Sequence, residues 1–284
     1  MHVSLDSALG RQRRLNSVGE SVLQIAPNAK AAYSLRSLTG GDPKVVRVRR
    51  DTGGGAGDND EQDFTASGIS SGALVDFVGS GNDGFVETWY DQSGNSNDAV
   101  QATAGSQPKI VSSGSLNTSG GLEFDGSDDF FSLTSSFSFQ NKAGCVFSLQ
   151  DGQDALNDFT IGNSSSSRGI GFKNNQTRWF FTTGAIDIDN SSSTSGLTLF
   201  TALHDGTTND PNVKAFVNSS LIVDGSPDAN QGEANVSTGV NQIGARRALS
   251  FLEGTVTEIV IYDTDQTNNR AALETEIISH YGIS

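Results

Sequence analysis

The sequence predicts an all-β protein of the sandwich class, and three observations carry that prediction. Short stretches rich in Val, Ile, Phe and Thr recur along most of the chain, each too short for a helix but long enough for a strand. Clusters of Gly, Asn, Ser and Asp separate them, and those residues close turns because they tolerate left-handed backbone or bond to it locally. The composition, with 33 Gly, 5 Pro and 16 Phe in 284 residues, combines many turns with enough aromatic bulk for a core. Such regular spacing of short strands and turns is the pattern of sandwiches and barrels.

Element by element, the chain opens differently from its remainder. Leu15, Val18, Val22 and Ile25 recur at helical spacing behind Arg11, Arg13 and Arg14, and Pro27 ends the pattern. The expectation is a short helical arm, residues 1–28, that either docks on a partner or folds back on its own domain. From there to residue 284 the reading is one sandwich. Val45–Arg50 and Phe85–Tyr90 read as strands, Asp51–Asp60 as a turn cluster, and Ser71–Val78 as a short helix with Leu74, Phe77 and Val78 on one side. Further strands are expected at Gly121–Phe124, Phe130–Leu133, Cys145–Leu149, Asp158–Ile161, Gly169–Phe172, Arg178–Thr182, Leu197–His204, Val213–Val217, Leu221–Val223, Asn241–Ile243 and Thr255–Tyr262. Val213–Val223 makes a hairpin turning near Asn218–Ser219. Asn268–His280 reads as a closing helix with the stripe Leu273, Ile277 and Tyr281, Thr267 as N-cap and Gly282 as stop.

Several function classes are disfavoured. The one cysteine, Cys145, leaves no intramolecular disulfide framework and no cysteine-based zinc site, and His2, His204 and His280 are too scattered for a histidine metal motif. No apolar run approaches the ~18 residues of a membrane span, and the N-terminus lacks a basic segment followed by an apolar one, so no secretory signal is expected. Residues 1–50 carry nine Lys/Arg against three acids, while residues 51–284 carry nine against thirty. An acidic body of that kind repels nucleic acid and anionic membranes. A basic leader on it reads either as an interaction tail or as ordinary surface charge. The Gly53-Gly54-Gly55 run has no Lys-Ser/Thr to reach a phosphate, and His204-Asp205 has no nucleophile elbow nearby.

Two resemblances add to this reading. Gly121-Leu122-Glu123-Phe124-Asp125-Gly126-Ser127-Asp128-Asp129-Phe130, the Lys214–Val223 hairpin, Phe251–Asp263 and the closing helix through His280-Tyr281-Gly282-Ile283 resemble the concanavalin A-like lectin/glucanase superfamily, in its laminin-G-like branch. Ala31-Ala32-Tyr33-Ser34-Leu35-Arg36, Val46–Arg50 and Trp89-Tyr90-Asp91-Gln92-Ser93-Gly94-Asn95 resemble the front of the α-L-arabinofuranosidase B catalytic domain and a module of bacteriophage virion proteins. The resemblances imply a concanavalin A-like jelly-roll sandwich with an N-terminal helical arm and a C-terminal helix. Residues 29–111 would be the arabinofuranosidase-like part and 112–284 the laminin-G-like part. They also imply a phage tail fibre, spike or other appendage, assembled in the host cytoplasm. That protein would be a homo-oligomer held to other virion proteins by the arm, displaying its sandwich to host-surface glycan without inserting into membrane. The alternative is a carbohydrate-binding module or an arabinofuranosidase-like hydrolase.

Candidate chemistry follows from the polar loops. Trp89, Tyr90, Asp91, Gln92 and Asn95 could form a sugar site beside an aromatic platform, or Asp91 could cap backbone N–H groups of its own loop. Asp125, Asp128 and Asp129 offer hard oxygens of the kind calcium takes, as superfamily members do, or they simply close a turn. No other cofactor is expected. Trp179-Phe180-Phe181 is the densest aromatic cluster, read first as core. Glycosidases of the resembled type need two carboxyl groups across the scissile bond. No position here carries the surrounding motif, and Glu123 and Glu258 read as solvent-facing strand acids paired with Arg or Lys. The expectation is therefore a protein that is not an enzyme. On the leader, Arg11, Arg13, Arg14, Leu15, Val18 and Val22 are the candidate docking residues.

Overall fold

The computed structural model describes residues 19–117, 120–137, 143–152, 158–164, 169–173, 176–180, 186–188, 196–204, 213–225, 239–247 and 250–283. The first half contains β1 (Ala31–Ser34), β2 (Lys44–Asp51), β3 (Glu61–Thr65), β4 (Asp83–Trp89), β5 (Ala99–Val100), β6 (Lys109–Ser112), β7 (Ser115–Leu116), β8 (Leu122–Asp125) and β9 (Phe131–Phe137). The second half contains β10 (Gly144–Gly152), β11 (Asp158–Gly162), β12 (Gly169–Lys173), β13 (Gln176–Phe180), β14 (Ile186–Ile188), β15 (Thr198–His204), β16 (Val213–Val217), β17 (Ser220–Gly225), β18 (Val240–Ile243), β19 (Ala245–Arg246), β20 (Ser250–Phe251) and β21 (Glu253–Tyr262). The helices are α1 (Val22–Ile25), α2 (Ala66–Ser70), α3 (Ala73–Val78) and α4 (Arg270–Tyr281), with a single 3₁₀ turn at Ala104–Ser106.

The strand pairings described are all antiparallel and divide into two runs. One is β1–β21–β10–β15–β16–β17. The other is β3–β2–β4–β5–β9–β18–β11–β12–β13–β14. They are joined along one side, because β4 pairs β6, β6 pairs β8 and β8 pairs β21. The chain is an all-β sandwich, as its composition predicts. Alternation does the sorting: along β2, Val46 and Val48 are fully buried while Arg47 between them is half-exposed.

Two apolar clusters hold the layers. Val46, Val48, Val86, Trp89, Ile110, Leu122, Phe124, Phe131, Ile243, Ile259 and Ile261 fill the space between the strand runs. Trp89 lies in this core against Tyr33 and Phe131, with ring centroids 5.6 and 6.3 Å away. The second cluster lies on the outer face of β10, β15 and β21. There Cys145, Phe147, Leu149, Leu199, Leu203, Val260 and Tyr262 meet Val22, Leu23, Leu273 and Ile277 from the helices. Cys145 is thus a core thiol, and burial raises its pKa well above the usual range.

That second cluster corrects one expectation. Val22, named as a docking residue, is completely buried in the chain's own core, and the Tyr262 hydroxyl donates to the Ala26 carbonyl at 3.0 Å. A four-residue helix cannot persist alone. Burying Val22 and Leu23, at about 1.5–3 kcal/mol for each side chain, is what keeps α1 formed. The helix ends at Ile25, two residues before Pro27, as that proline requires. Arg11, Arg13, Arg14, Leu15 and Val18 lie outside the described residues, as does Phe181; the side chains of Trp179, Phe180 and His204 are likewise not described.

Other differences are local. The closing helix begins after Asn269 rather than Thr267, whose hydroxyl donates to Asp265 Oδ1 at 2.6 Å instead. Gly282 stops it with φ of 64°. The β16–β17 hairpin turns where expected, with Asn218 and Ser219 both at positive φ. Strand β3 was not anticipated, because Glu61-Gln62-Asp63-Phe64-Thr65 carries one apolar residue; pairing with β2 makes it a strand. Glu258 is 1% exposed rather than solvent-facing. It accepts from Arg36 at 2.8 Å and from Ser34 at 3.0 Å under the closing helix.

Candidate functional site

A cleft of about 460 Å³, lined in part by Arg49, Asp51, Phe85, Lys109, Glu123 and Asp129, falls within the size range of small-molecule sites. Its floor is built by strand register. Arg49 on β2 is opposite Phe85 on β4, Phe85 is opposite Lys109 on β6, and Lys109 is opposite Glu123 on β8. Four adjacent strands therefore present one row of side chains: cation, aromatic, cation, anion. At ~4.8 Å per strand the row runs about 14 Å. The Arg49 guanidinium lies 4.9 Å from the Phe85 ring centroid and the Lys109 ammonium 5.4 Å, so the ring serves the two cations.

The Arg49 end is ordered by neutral acceptors. Its Nε donates to Gln107 Oε1 at 2.8 Å, Nη1 to Asn59 Oδ1 at 3.0 Å and Nη2 to the Ala104 carbonyl at 3.3 Å. Asp51 stands off at 3.7 Å. Lys109 pairs with Asp83 at 2.9 Å.

The opposite end is the turn between β8 and β9. Asp125 Oδ1 accepts the N–H groups of Ser127 at 2.8 Å and Asp128 at 3.3 Å, while Asp129 Oδ2 accepts the Asp125 N–H at 3.0 Å. Gly126 occupies positive φ, 75°, which this tight turn demands. Ser106 donates to Asp128 Oδ2 at 2.8 Å and ties the turn to the 3₁₀ segment. Asp125, Asp128 and Asp129 each offer an oxygen within 4.8 Å of the others. The turn and the convergence expected from the sequence thus coexist. That spacing suits a hard oxygen-bound cation, and the same carboxylates also bond their own turn. Asp129 is 6% exposed, and burial, followed by repulsion from Asp125, pushes its pKa up to about 7. At neutral pH it is half protonated beside ionisable neighbours, the arrangement that separates an acid from its partner carboxylate.

The loop that the sequence nominated for sugar binding behaves otherwise. The Asp91 carboxylate accepts the N–H groups of Ala32 at 2.9 Å, Ser93 at 2.9 Å and Asn97 at 3.0 Å, and the Ser93 hydroxyl at 2.8 Å. Gln92 accepts from the Leu38 N–H at 2.8 Å and donates to the Ser34 and Arg36 carbonyls at 3.0 and 2.9 Å. Asn95 donates to the Ala29 carbonyl at 2.9 Å. Trp89 has no exposed surface, and the Tyr90 hydroxyl donates to Asp63 at 2.8 Å. Burial and Asp63 push the Tyr90 phenol up to about 12. These five residues are corrected from ligand site to structural knot: backbone groups claim the polar atoms of Asp91, Gln92 and Asn95, Asp63 holds the Tyr90 hydroxyl, and the Trp89 ring is core.

The residues missed by the sequence reading are Arg49, Phe85, Lys109, Gln107 and Asn59. Arg47 and Arg49 two apart on a strand could have marked an outward face. Nothing in the order of residues, however, puts Arg49, Phe85, Lys109 and Glu123 in one row.

No protein-family model matches the sequence, and no curated protein matches it either. Solved structures do match the fold. An arabinofuranosidase complexed with arabinofuranosyl-α-1,2-xylobiose superposes with a TM-score of 0.62 at 16% identity, covering 88% of this chain and 62% of its own. A GH54 α-L-arabinofuranosidase soaked with a cyclic sulfate inhibitor gives 0.62 at 15%, covering 91% and 65%. A glutamate-to-glutamine mutant of GH54 α-L-arabinofuranosidase soaked with 4-nitrophenyl α-L-arabinofuranoside gives 0.61 at 16%, covering 91% and 65%. This chain therefore spans less than two thirds of the length of those structures. The likeness matches the arabinofuranosidase part of the resemblance and lends nothing to the virion part. It also overturns the expectation of a protein that is not an enzyme: the fold is one that arabinofuranosidases have, so an unrecognised carboxylate motif is no argument against catalysis. This chain has the sandwich fold found in arabinofuranosidases.

Proposed function

We propose that the chain is a carbohydrate-active protein of the arabinofuranosidase type, holding an arabinofuranosyl-bearing saccharide in the acidic cleft and cleaving its glycosidic bond there. The observation that carries this reading is the shared fold, extending over about nine tenths of the chain, with an arabinofuranosidase complexed with a saccharide. Fold kinship by itself does not assign activity; the cleft adds the chemistry. In this reading Asp129 donates the proton to the leaving oxygen, since burial keeps its carboxyl protonated to higher pH than an ordinary aspartate. Asp125, with a carboxylate oxygen within 4.8 Å of one on Asp129, stands on the sugar side as nucleophile or stabiliser of the cationic transition state. Such close spacing suits retention, where the pair sits about 5–5.5 Å apart, and leaves no room for the water of an inverting pair.

Release of 4-nitrophenol from 4-nitrophenyl α-L-arabinofuranoside tests the reading. Turnover should fall above about pH 7 as Asp129 ionises, and Asp129→Asn should lower it by about 100-fold or more. Absence of turnover at every pH would remove hydrolysis of that glycoside.

A second reading, saccharide binding at the same cleft, is favoured by the hydrogen bonds that the turn itself makes to Asp125 and Asp129. Chemical-shift changes at the cleft on adding arabino-oligosaccharide, without product, would select it. The virion setting, with its partners and oligomeric state, rests on the resemblance alone.

A further inference from the structure

We propose that the cleft selects a saccharide carrying a carboxylate, a uronosyl unit, whose anionic group docks on Arg49 while its hydroxyls face Glu123 and Asp125 at the other end of the row. The inference rests on the reading of the cleft as a saccharide site and adds the charge of the ligand. Arg49 is 7% exposed and lines the cavity. A buried charge is ordinarily paired, because leaving water costs it several kcal/mol. Yet the hydrogen-bond partners described for Arg49 are an amide oxygen of Gln107, one of Asn59 and the Ala104 carbonyl, all neutral. Among the described residues its nearest carboxylate is Asp51, which forms a long ion pair at 3.7 Å with no hydrogen bond. The contrast with other arginines is direct: Arg36 and Arg47 each hold a carboxylate within 2.9 Å, and Arg50 holds Asp60 at 2.6 Å.

The three bonds use three of the five guanidinium N–H donors. Two donors remain, and a planar fork matches a carboxylate better than a lone hydroxyl. The neutral acceptors fix the orientation of the guanidinium, and its charge is offset only in part, by a long ion pair to the half-exposed Asp51 and by the field of Asp58. Phe85 beneath it excludes water from one side. Glu123 and the turn acids would repel an anion, and their place in the register decides the ligand's direction. Glu123 is three strands from Arg49, so a ligand about 14 Å long can put its carboxylate at one end and hydroxyl donors against the acids at the other. Lys109, already held by Asp83, lies between the two ends.

The test titrates the whole chain with glucuronosyl-xylobiose, a trisaccharide with one terminal uronosyl unit, and with the same trisaccharide after reduction of its single carboxyl group, by calorimetry at matched ionic strength. Arabinotriose serves as a neutral sugar unrelated to the pair. The expected result is that glucuronosyl-xylobiose binds about tenfold or more tightly than its reduced form, with the preference lost in Arg49→Gln. The unmodified protein with the two ligands gives the answer even where that variant folds poorly. Equal affinity for the two forms, or preference for the reduced one, would overturn the inference while leaving a saccharide cleft in place. If neither form binds but arabinotriose does, the inference falls and the saccharide reading stands; if none of the three binds, both fall.

Discussion

Two polar segments of this molecule have similar composition and opposite fates. Tyr90–Asp98 and Asp125–Asp129 are both rich in Asp, Ser and Gly, and both follow a strand. In the first, Asp91 and Gln92 spend their polar atoms on backbone groups of β1, of the segment after it at Arg36 and Leu38, and of the loop itself. In the second, the turn uses only part of the available oxygens and crowds three carboxylates at the edge of a cavity. A polar cluster is a ligand candidate when its donors and acceptors are left over, not when it is merely polar. The knot stabilises the fold; the cleft stores unfavourable electrostatics.

The sharpest way to break that contrast is Asp91→Ala. It removes the acceptor of three backbone N–H groups and one hydroxyl, and orphaned donors cost roughly 1–3 kcal/mol each when buried. Partial solvent access limits the total, and a loss of about 3–4 kcal/mol is expected in urea denaturation. A change below about 1 kcal/mol would mean that the loop can rearrange and is no knot.

Asp129→Asn should act in the opposite direction. Its folded pKa, about 7, lies above the unfolded value of 3.8. The carboxyl therefore contributes stability at pH below about 4, and this is lost as pH rises through 7. Asn keeps the acceptor for the Asp125 N–H and never ionises, so the variant should be more stable than the parent at pH 8, on the order of 2–4 kcal/mol. The two should converge near pH 4. Parallel stability curves would show that the carboxyl is not strained.

Smaller still is Glu123→Gln. The side chain is exposed, and its cross-strand partner Lys109 is already held by Asp83. Loss of such a partner changes stability by less than about 0.5 kcal/mol, measured as a thermal midpoint. A large loss would make the cleft floor part of the scaffold, and the contrast between the segments would dissolve.

Much of the architecture was legible in advance. Strand after strand falls where Val, Ile and Phe cluster between turn residues, and the Asn218–Ser219 turn and Gly282 stop follow from local backbone preferences. Asp91 was read both ways, and its Asx geometry was one of them. The acidic turn was visible as Asp125, Asp128 and Asp129. Arg49 as a cleft residue was not, because one basic residue in Val45–Arg50 looks like another until a partner strand is set beside it. Helical periodicity around Val22 shows an apolar face without showing whether a partner or the chain's own core covers it; the core does.

The sequence by itself determined the alternation, the turns, the closing helix and hence an all-β sandwich, since these depend on interactions a few residues long. Tertiary structure alone decided which polar groups are spent and which remain. It laid Arg49, Phe85, Lys109 and Glu123 side by side, and it folded Val22 beneath Leu273 and Ile277. Both outcomes depend on register between segments tens to hundreds of residues apart. A one-residue slip would turn each of those side chains to the other face, and no local pattern encodes that choice.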